Sequence, residues 1–302
     1  MNRWAPSVSV ALVLGVLSFA FAPILVRWAG DVPALTIAVW RTVTAVGVLA
    51  PGLLSARARA QLQRVSGREL LLMLASGGVL GFHFLFWIES LSHTTVASAS
   101  IFVTSSPLLL AALGYLVLGE RLSAGTLVAI GTAVVGAVLI GWADTGAVTL
   151  GHGALWGNGL ALGAAALVSV YLLVGRVVRQ TVGWWAYVFP VYGAAAGVIL
   201  ATAWVQGTPL MGYSWRVYGP CIALAIGPQV VGHGAFNYVV QRVSATVVGL
   251  LTLLEPVGAS ILAYLLFGER PPVLSLLGMV VVLGAVAVVV RLRNRVRAGT
   301  DR

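Results

Sequence analysis

The chain has 302 residues, of which 60% are hydrophobic and only 9% are charged, and its mean hydropathy is +1.00. A chain with this few charged side chains cannot cover a water-facing surface. The composition therefore excludes a water-soluble globular protein and indicates a membrane protein. The net charge of +10 comes from 18 basic residues, all of them arginine. In a membrane protein this excess needs no nucleic-acid partner, and none is expected.

Ten apolar runs follow one another along the chain, and most are as long as the roughly 20 residues that an α-helix needs to cross hydrocarbon. The predicted spans are residues 8–27, 33–54, 69–91, 94–118, 123–142, 153–174, 182–205, 215–240, 244–267 and 272–290. Apart from residues 57–68 and the C-terminal tail, no connection is long enough for a soluble domain. The sequence therefore predicts an all-α integral membrane protein whose chemistry takes place within the bilayer.

The arginines are unevenly distributed over the connections. They collect in the 57–68 linker, at Arg176 and Arg179, and in the C-terminal tail. The connections without arginine are 92–93, 143–152 and 206–214. By the positive-inside rule this pattern predicts that both termini are cytoplasmic. The arginines themselves are interpreted as topology signals and lipid-headgroup contacts.

The second half of the chain repeats the first at a shift of 149 residues. The matching pairs are Pro107 with Pro256, Tyr115 with Tyr264, and the "GER" at 119–121 with the "GER" at 268–270. Each half holds five predicted spans, and an odd number makes the second half enter the membrane from the opposite side. We therefore predict two inverted repeats, at residues 1–146 and 147–291, followed by a basic cytoplasmic tail at 292–302. Many secondary transporters have such repeats, with a substrate site near the midplane between them.

Three long segments also resemble a known family. They are "LVLGVLSFAFAPILVRWAGDVPALTIAVWR" at 12–41, "VASASIFVTSSPLLLAALGYLVLGERLS" at 96–123 and "GHGAFNYVVQRVSATVVGLLTLLEPVGASILAYLLFGER" at 232–270. They are similar to the EamA-type permeases of the drug/metabolite transporter superfamily. The resemblance implies a ten-helix exporter or permease of the cytoplasmic membrane that moves small metabolites, often amino acids or related amines, by alternating access. It leaves open the solute, the direction, the coupling ion and a homodimer.

Three ionisable side chains fall within the predicted spans, where each costs roughly 2.5–3.5 kcal/mol to insert and usually faces protein or water. Glu89 lies near the outer interface, where solvation explains it. Arg41 lies deeper in its span. Its alternative roles are a structural one, as half of an ion pair or a clamp on backbone carbonyls, and a functional one, as part of a site. Glu255 is equally deep, and the first repeat has Ser106 at its position.

Pro256 removes the backbone donor to the carbonyl of Thr252, so a kink is expected in the ninth span, and Pro107 should kink the fourth. The freed carbonyls would line a cavity beside Glu255. Glu255 is therefore a candidate proton carrier or counter-charge for a substrate amine. The alternative is a buried glutamate satisfied by Arg41 or a hydroxyl.

Two further polar groups share helix faces. His83 and Trp87 are four residues apart in the third span, and in the eighth span polar residues recur every fourth position: Gln229, His233, Asn237 and Gln241. Such groups can bind a zwitterion and its apolar side chain, although they also join transmembrane helices by hydrogen bonds. The predicted substrate-binding residues are His83, Trp87, His233, Asn237, Glu255, Tyr171 and Ser105.

Two classes of function fit these observations. The first is a secondary transporter, with a small-molecule solute and membrane lipids as its partners. The second is a membrane-embedded enzyme that uses His83, His233 and Glu255 on a lipid or isoprenoid substrate. No catalytic or phosphate-binding motif supports an enzyme. The histidines have no cysteine or carboxylate partner at ligand spacing, so neither a metal nor a cofactor is expected.

Overall fold

The computed structural model describes residues 6–94, 99, 102–103, 105–120, 122–145, 152–268 and 270–300. Its elements are helical. The α-helices are α1 (Pro6–Ala20), α2 (Ala22–Ala29), α3 (Ala34–Leu49), α4 (Ala56–Gln63), α5 (Gly67–His93), α6 (Ser106–Leu118), α7 (Ala124–Thr145), α8 (His152–Val178), α9 (Trp184–Val205), α10 (Trp215–Leu224), α11 (Gly234–Val239), α12 (Ala245–Thr252), α13 (Leu254–Phe267) and α14 (Val273–Thr300). A short 3₁₀ helix (Ala50–Leu54) follows α3, and a π-helix (Ala225–His233) joins α10 to α11.

Several of these helices are long and apolar enough to cross a membrane. Six such stretches occur in the described part of the chain, and α1–α2 and α12–α13 each count as one of them. They are Ser7–Ala29, Ala34–Leu54, Gly67–His93, Gly153–Val178, Trp184–Val205 and Ala245–Phe267. Three shorter apolar helices lie at Ser106–Leu118, Ala124–Ile140 and Val273–Val289. The protein is therefore an all-α, multi-pass membrane protein.

Prolines lie at two irregular points of the helices. α2 begins with Pro23 in its first turn, after a break at Phe21. Pro228 lies inside the π-helix, where it has no N–H to donate to the carbonyl five residues earlier. Breaks of this kind matter at membrane depth because they free backbone groups that must then face protein or a wet cavity.

The helices of the two halves pack in corresponding pairs. α3 packs on α9, α6 on α12, and α7 on α14. α5 also packs on α8. In the corresponding pair, α1 packs on the π-helix and α11. Each pair joins an element of one half to an element of the other, so the packing is consistent with two structural repeats.

The repeated "GER" motif ends a helix in both halves. Gly119 follows α6 with a φ of 65°, and Gly268 follows α13 with a φ of 69°. Both glycines donate their N–H to a tyrosine carbonyl, Gly119 to Tyr115 at 3.1 Å and Gly268 to Tyr264 at 3.0 Å. A left-handed residue after a helix favours glycine because a side chain would be strained there. The motif is thus a helix stop.

Candidate functional site

A cavity of about 970 Å³ lies inside the bundle and opens at one end. Its mouth is formed by residues 30–32 after α2, by Leu91 and Ser92 at the end of α5, and by residues 270–272 before α14. Among the described residues, those of the connections at the other end of the bundle do not line it. The volume is at the upper end of the range for sites that hold small molecules, roughly 300–1,000 Å³.

Elements of both halves supply the polar wall of this cavity. The predicted residues that line it are Arg41, His83, Trp87, His233, Glu255 and Pro256. They come from α3, α5, the π-helix and α13, so residues far apart in sequence meet at one site. The i, i+4 spacing of His83 and Trp87 puts both on the cavity face of α5, as expected from helix geometry.

The two histidines lie near each other among aromatic rings. The Nδ1–H of His83 donates to the carbonyl of Ala164 (2.9 Å), because a carbonyl can only accept. The ring of His233 lies 6.3 Å from that of His83, between centroids, and 4.8 Å from the ring of Phe19, edge to face. No group of three or more His, Cys, Asp or Glu side chains that could hold a metal ion occurs in the described ranges.

Arg41 is 2% exposed. Its Nε donates to Oε1 of Gln229 (3.1 Å), and its guanidinium carbon lies 3.9 Å from the centroid of the Phe84 ring. A direct ion pair with Glu255, one alternative that the sequence left open, is not formed. The guanidinium instead contacts the Gln229 amide through Nε and the Phe84 ring through its face. Glu255 is near enough to interact with it electrostatically.

Glu255 stands at a helix break. α12 ends at Thr252, the chain turns at Leu253, and α13 begins with Glu255 in its first turn, where the helix dipole favours a carboxylate. Thr252, whose carbonyl Pro256 cannot reach with an N–H, also lines the cavity. Among the described residues, Glu255 has neither a hydrogen bond nor an ion pair.

The first half has the same arrangement with a neutral side chain. Ser106, the counterpart of Glu255, lines the cavity at the start of α6. Pro107 lies in the first turn of that helix, directly after the turn at Ser105, and is buried, and the expected kink of the fourth span stays a prediction. A proline fits there because the first-turn N–H groups have no partner within the helix.

Three predicted residues lie away from the cavity wall. Asn237 and Tyr171 are fully buried and bonded to each other, with Nδ2 of Asn237 donating to the Tyr171 hydroxyl and also to the carbonyl of His233. The hydroxyl of Ser105 donates to the carbonyl of Phe102 (2.7 Å), and the neighbouring Ser106 lines the cavity instead. These residues support the site without lining it.

Sequence reasoning missed the residues at the mouth and one aromatic wall residue. Arg27, Asp31 and Arg270 line the mouth, and Phe19 lines the interior. Their signals were weak, because charges at helix ends are ordinary topology features and a phenylalanine in an apolar span is ordinary core. Glu89, by contrast, is exposed and pairs with His93 (3.0 Å), which fits its predicted solvation.

Two arginines close the opposite end of the bundle. Arg176 lies 3.6 Å from Glu120 and donates to the carbonyls of Val240 (2.9 Å) and Gln241 (3.0 Å). Arg179 is buried and donates to the carbonyl of Asn237 (3.1 Å). Burial lowers the pKa of the Arg179 guanidinium to about 10, which still leaves it charged at neutral pH. Both arginines bind backbone carbonyls inside the bundle, and the interpretation of the chain's arginines as topology signals and lipid-headgroup contacts stays a prediction.

The structure is thus that of a multi-pass membrane protein with an internal cavity that is open at one end and has Arg41 and Glu255 on its wall. The chain belongs to the EamA-like transporter family, whose sequence model matches residues 7–142 and 155–291 as two domains. It is accordingly a secondary transporter of small solutes, and the alternative of a membrane-embedded enzyme is wrong.

Solved structures of other proteins are similar to this chain. A crystal structure of another protein, 20% identical in sequence, matches with a TM-score of 0.80 over 96% of this chain and 98% of that one, which shows a shared fold. No curated protein sequence matches the chain.

Proposed function

We propose that this chain exports small amino-acid-like or related metabolites across the cytoplasmic membrane by alternating access. The observation that carries the proposal is the one-ended cavity whose wall holds Arg41 and Glu255 without a direct ion pair between them. A solute with an acidic and a basic group complements both charges. The aromatic and aliphatic side chains of the wall, such as Trp87 and Ile88, suit the apolar part of such a solute.

The proposal includes ten crossings in two inverted five-span repeats, with both termini cytoplasmic. The corresponding helix pairs of the two halves support the repeats. Glu255 lies twelve residues from Phe267, which is about 18 Å along a helix and hence near the middle of a bilayer of about 30 Å. In this topology the mouth faces outward and the Arg176 end faces the cytoplasm.

The direction of transport rests on the resemblance to EamA-type permeases, and the cavity alone does not determine it. Cells that express the chain should tolerate higher concentrations of toxic amino acids and their analogues than cells with an empty vector, because export lowers the internal concentration. Growth inhibition on a panel of such compounds is the measurement. Increased sensitivity would contradict export, and an unchanged response to the whole panel would contradict the amino-acid-like class.

A further inference from the structure

Arg41 presents more hydrogen-bond donors than the protein satisfies. A guanidinium has five N–H groups and no acceptor. Within the described part of the chain, its only hydrogen bond runs from Nε to Gln229, and its other close contact is the face of Phe84. The two terminal nitrogens therefore have no protein acceptor, while Arg41 lines the cavity. A buried charge without a counter-ion is costly unless something else supplies one.

Gln229 adds another unsatisfied donor beside Arg41. Its side chain is fully buried, its Oε1 accepts from Arg41, and its Nε2 has no hydrogen-bond partner in the described structure. The residue is held in place because its own carbonyl accepts from the hydroxyl of Tyr192 (2.8 Å). The amide oxygen is thus committed to the arginine, and the amide nitrogen remains as a donor next to it.

We propose that Arg41, held in place by Gln229 behind the cavity wall, is the subsite for the carboxylate of the transported solute. A carboxylate accepts two parallel hydrogen bonds from a guanidinium, and its charge offsets that of the arginine. Phe84 holds the guanidinium plane by a cation–π contact, so the donors are pre-oriented. Glu255 then holds the cationic end of the same solute. This assignment rests on the proposed function for its solute class and extends it by fixing which end of the solute lies where.

The test uses matched ligands that differ in one charged group. Leucine, isoamylamine (leucine without its carboxylate) and isocaproate (leucine without its amine) are titrated into the purified full-length protein by calorimetry. A second set built on phenylalanine covers an aromatic side chain. In the wild type, loss of the carboxylate should weaken binding about 10- to 100-fold, the usual range for a hydrogen bond to a charged group.

The decisive variant is Gln229→Glu, which keeps the shape and places a protein carboxylate against Arg41. It should weaken binding of leucine and isocaproate by the same factor, because the subsite is occupied, and leave isoamylamine binding equal or tighter. Arg41→Gln should weaken the same two ligands and spare the amine, whereas Arg41→Lys, which keeps the charge but loses the two-pronged geometry, should have an intermediate effect. Arg59→Gln, in the exposed linker, is the control.

The outcomes separate this subsite from the proposed function. If leucine binds but Gln229→Glu affects it no more than isoamylamine, the subsite is overturned and the amino-acid-like class stands. If only isocaproate binds and Gln229→Glu abolishes it, the subsite stands and the amino-acid-like class fails. If the wild type binds none of the six compounds, both are overturned. Gln229→Glu retains the arginine, so the test does not depend on whether Arg41→Gln folds.

Discussion

Trp87 is the cavity residue whose role is easiest to separate from folding. Its indole lines the cavity and is only partly buried. Trp87→Ala should therefore lower transport about 5- to 150-fold, since a lost aromatic contact of this size is worth about 1–3 kcal/mol, while the protein still reaches the membrane. Trp204→Ala is the matched control, because Trp204 is 84% exposed and does not line the cavity. Transport per folded molecule is the measurement, and an equal loss of folded protein would identify Trp87 as a packing residue.

Glu255 allows two functional roles that one substitution distinguishes. As the counter-charge for an amine, Glu255→Gln should weaken solute binding about tenfold at every pH, because the amide keeps the shape and loses the charge. Binding that is retained while transport no longer responds to a pH gradient would instead identify a proton carrier. Calorimetry and vesicle transport measure the two effects, with the exposed Glu89→Gln as control.

A structural role for Glu255 makes a different prediction. Because no direct ion pair with Arg41 forms, Glu255→Gln should leave thermal stability close to that of the wild type. A marked loss that Arg41→Gln partly restores would show that the two charges stabilise each other despite their separation. Unchanged binding, transport and stability together would contradict every role considered for this residue.

The limits of sequence reasoning are visible at His233 and Asn237. A regular α-helix would place both on one face, and the same reasoning located His83 and Trp87 on the cavity wall. In the eighth span, however, Asn237 lies one turn of α11 beyond His233 and bonds to Tyr171 behind the wall. The spacing of polar residues does not show which of them finds a buried partner, and it does not show the π-helix that contains Gln229, the partner of Arg41.

Among the elements, α7 and α14 pack closely through glycines. A Cβ on Gly278 would lie 2.6 Å from the carbonyl oxygen of Gly136 and 2.9 Å from the backbone nitrogen of Ile140. Backbone atoms cannot yield as a side-chain end can, so Gly278→Ala should separate the helices at a cost of about 1–3 kcal/mol. Gly284→Ala on the same helix is the control, because no atom lies within 4 Å of its Cβ position. Thermal unfolding in detergent is the measurement, and equal melting temperatures for the two variants would contradict this packing.

At the same scale, the repeat was readable from the sequence because it rests on local chemistry. Gly119 and Gly268 must adopt left-handed backbone, and a shift of 149 residues aligns them. The pairing of α7 with α14 was not readable, because Gly and Ala are frequent in every span and only the structure shows which of them approach a neighbour. The continuation of α14 to Thr300 was not anticipated either, since the arginines there suggested only a basic tail.

For the whole molecule, the proposed topology places residue 60 inside and residue 147 outside. Cysteines substituted for Ala60 and Ala147 should react with an impermeant thiol reagent in intact cells only at position 147, which lies outside the described residues. The native Cys221 is fully buried and should contribute no background. Labelling at position 60 alone would invert the topology. The homodimer stays a prediction.

Alternating access requires the closed end of the bundle to open. There Glu120, which follows α6 in the first half, pairs with Arg176 of the second, and Arg176 also donates to the carbonyls of Val240 and Gln241. The pair is partly exposed, so its loss should cost only about 1 kcal/mol. A shift of that size changes a two-state equilibrium about fivefold.

Glu120→Gln should therefore favour the conformation in which the Arg176 end is open and the mouth is closed. A cysteine substituted for Ser92, which is exposed at the mouth, reports the change: its labelling from outside should slow, by at most about fivefold, in Glu120→Gln relative to the parent Ser92→Cys protein. Glu89→Gln, which removes an exposed carboxylate near the mouth, should leave the rate within about twofold. Unchanged labelling in Glu120→Gln would mean that the Arg176–Glu120 pair survives in both conformations, and faster labelling would mean that it stabilises the state with the mouth closed.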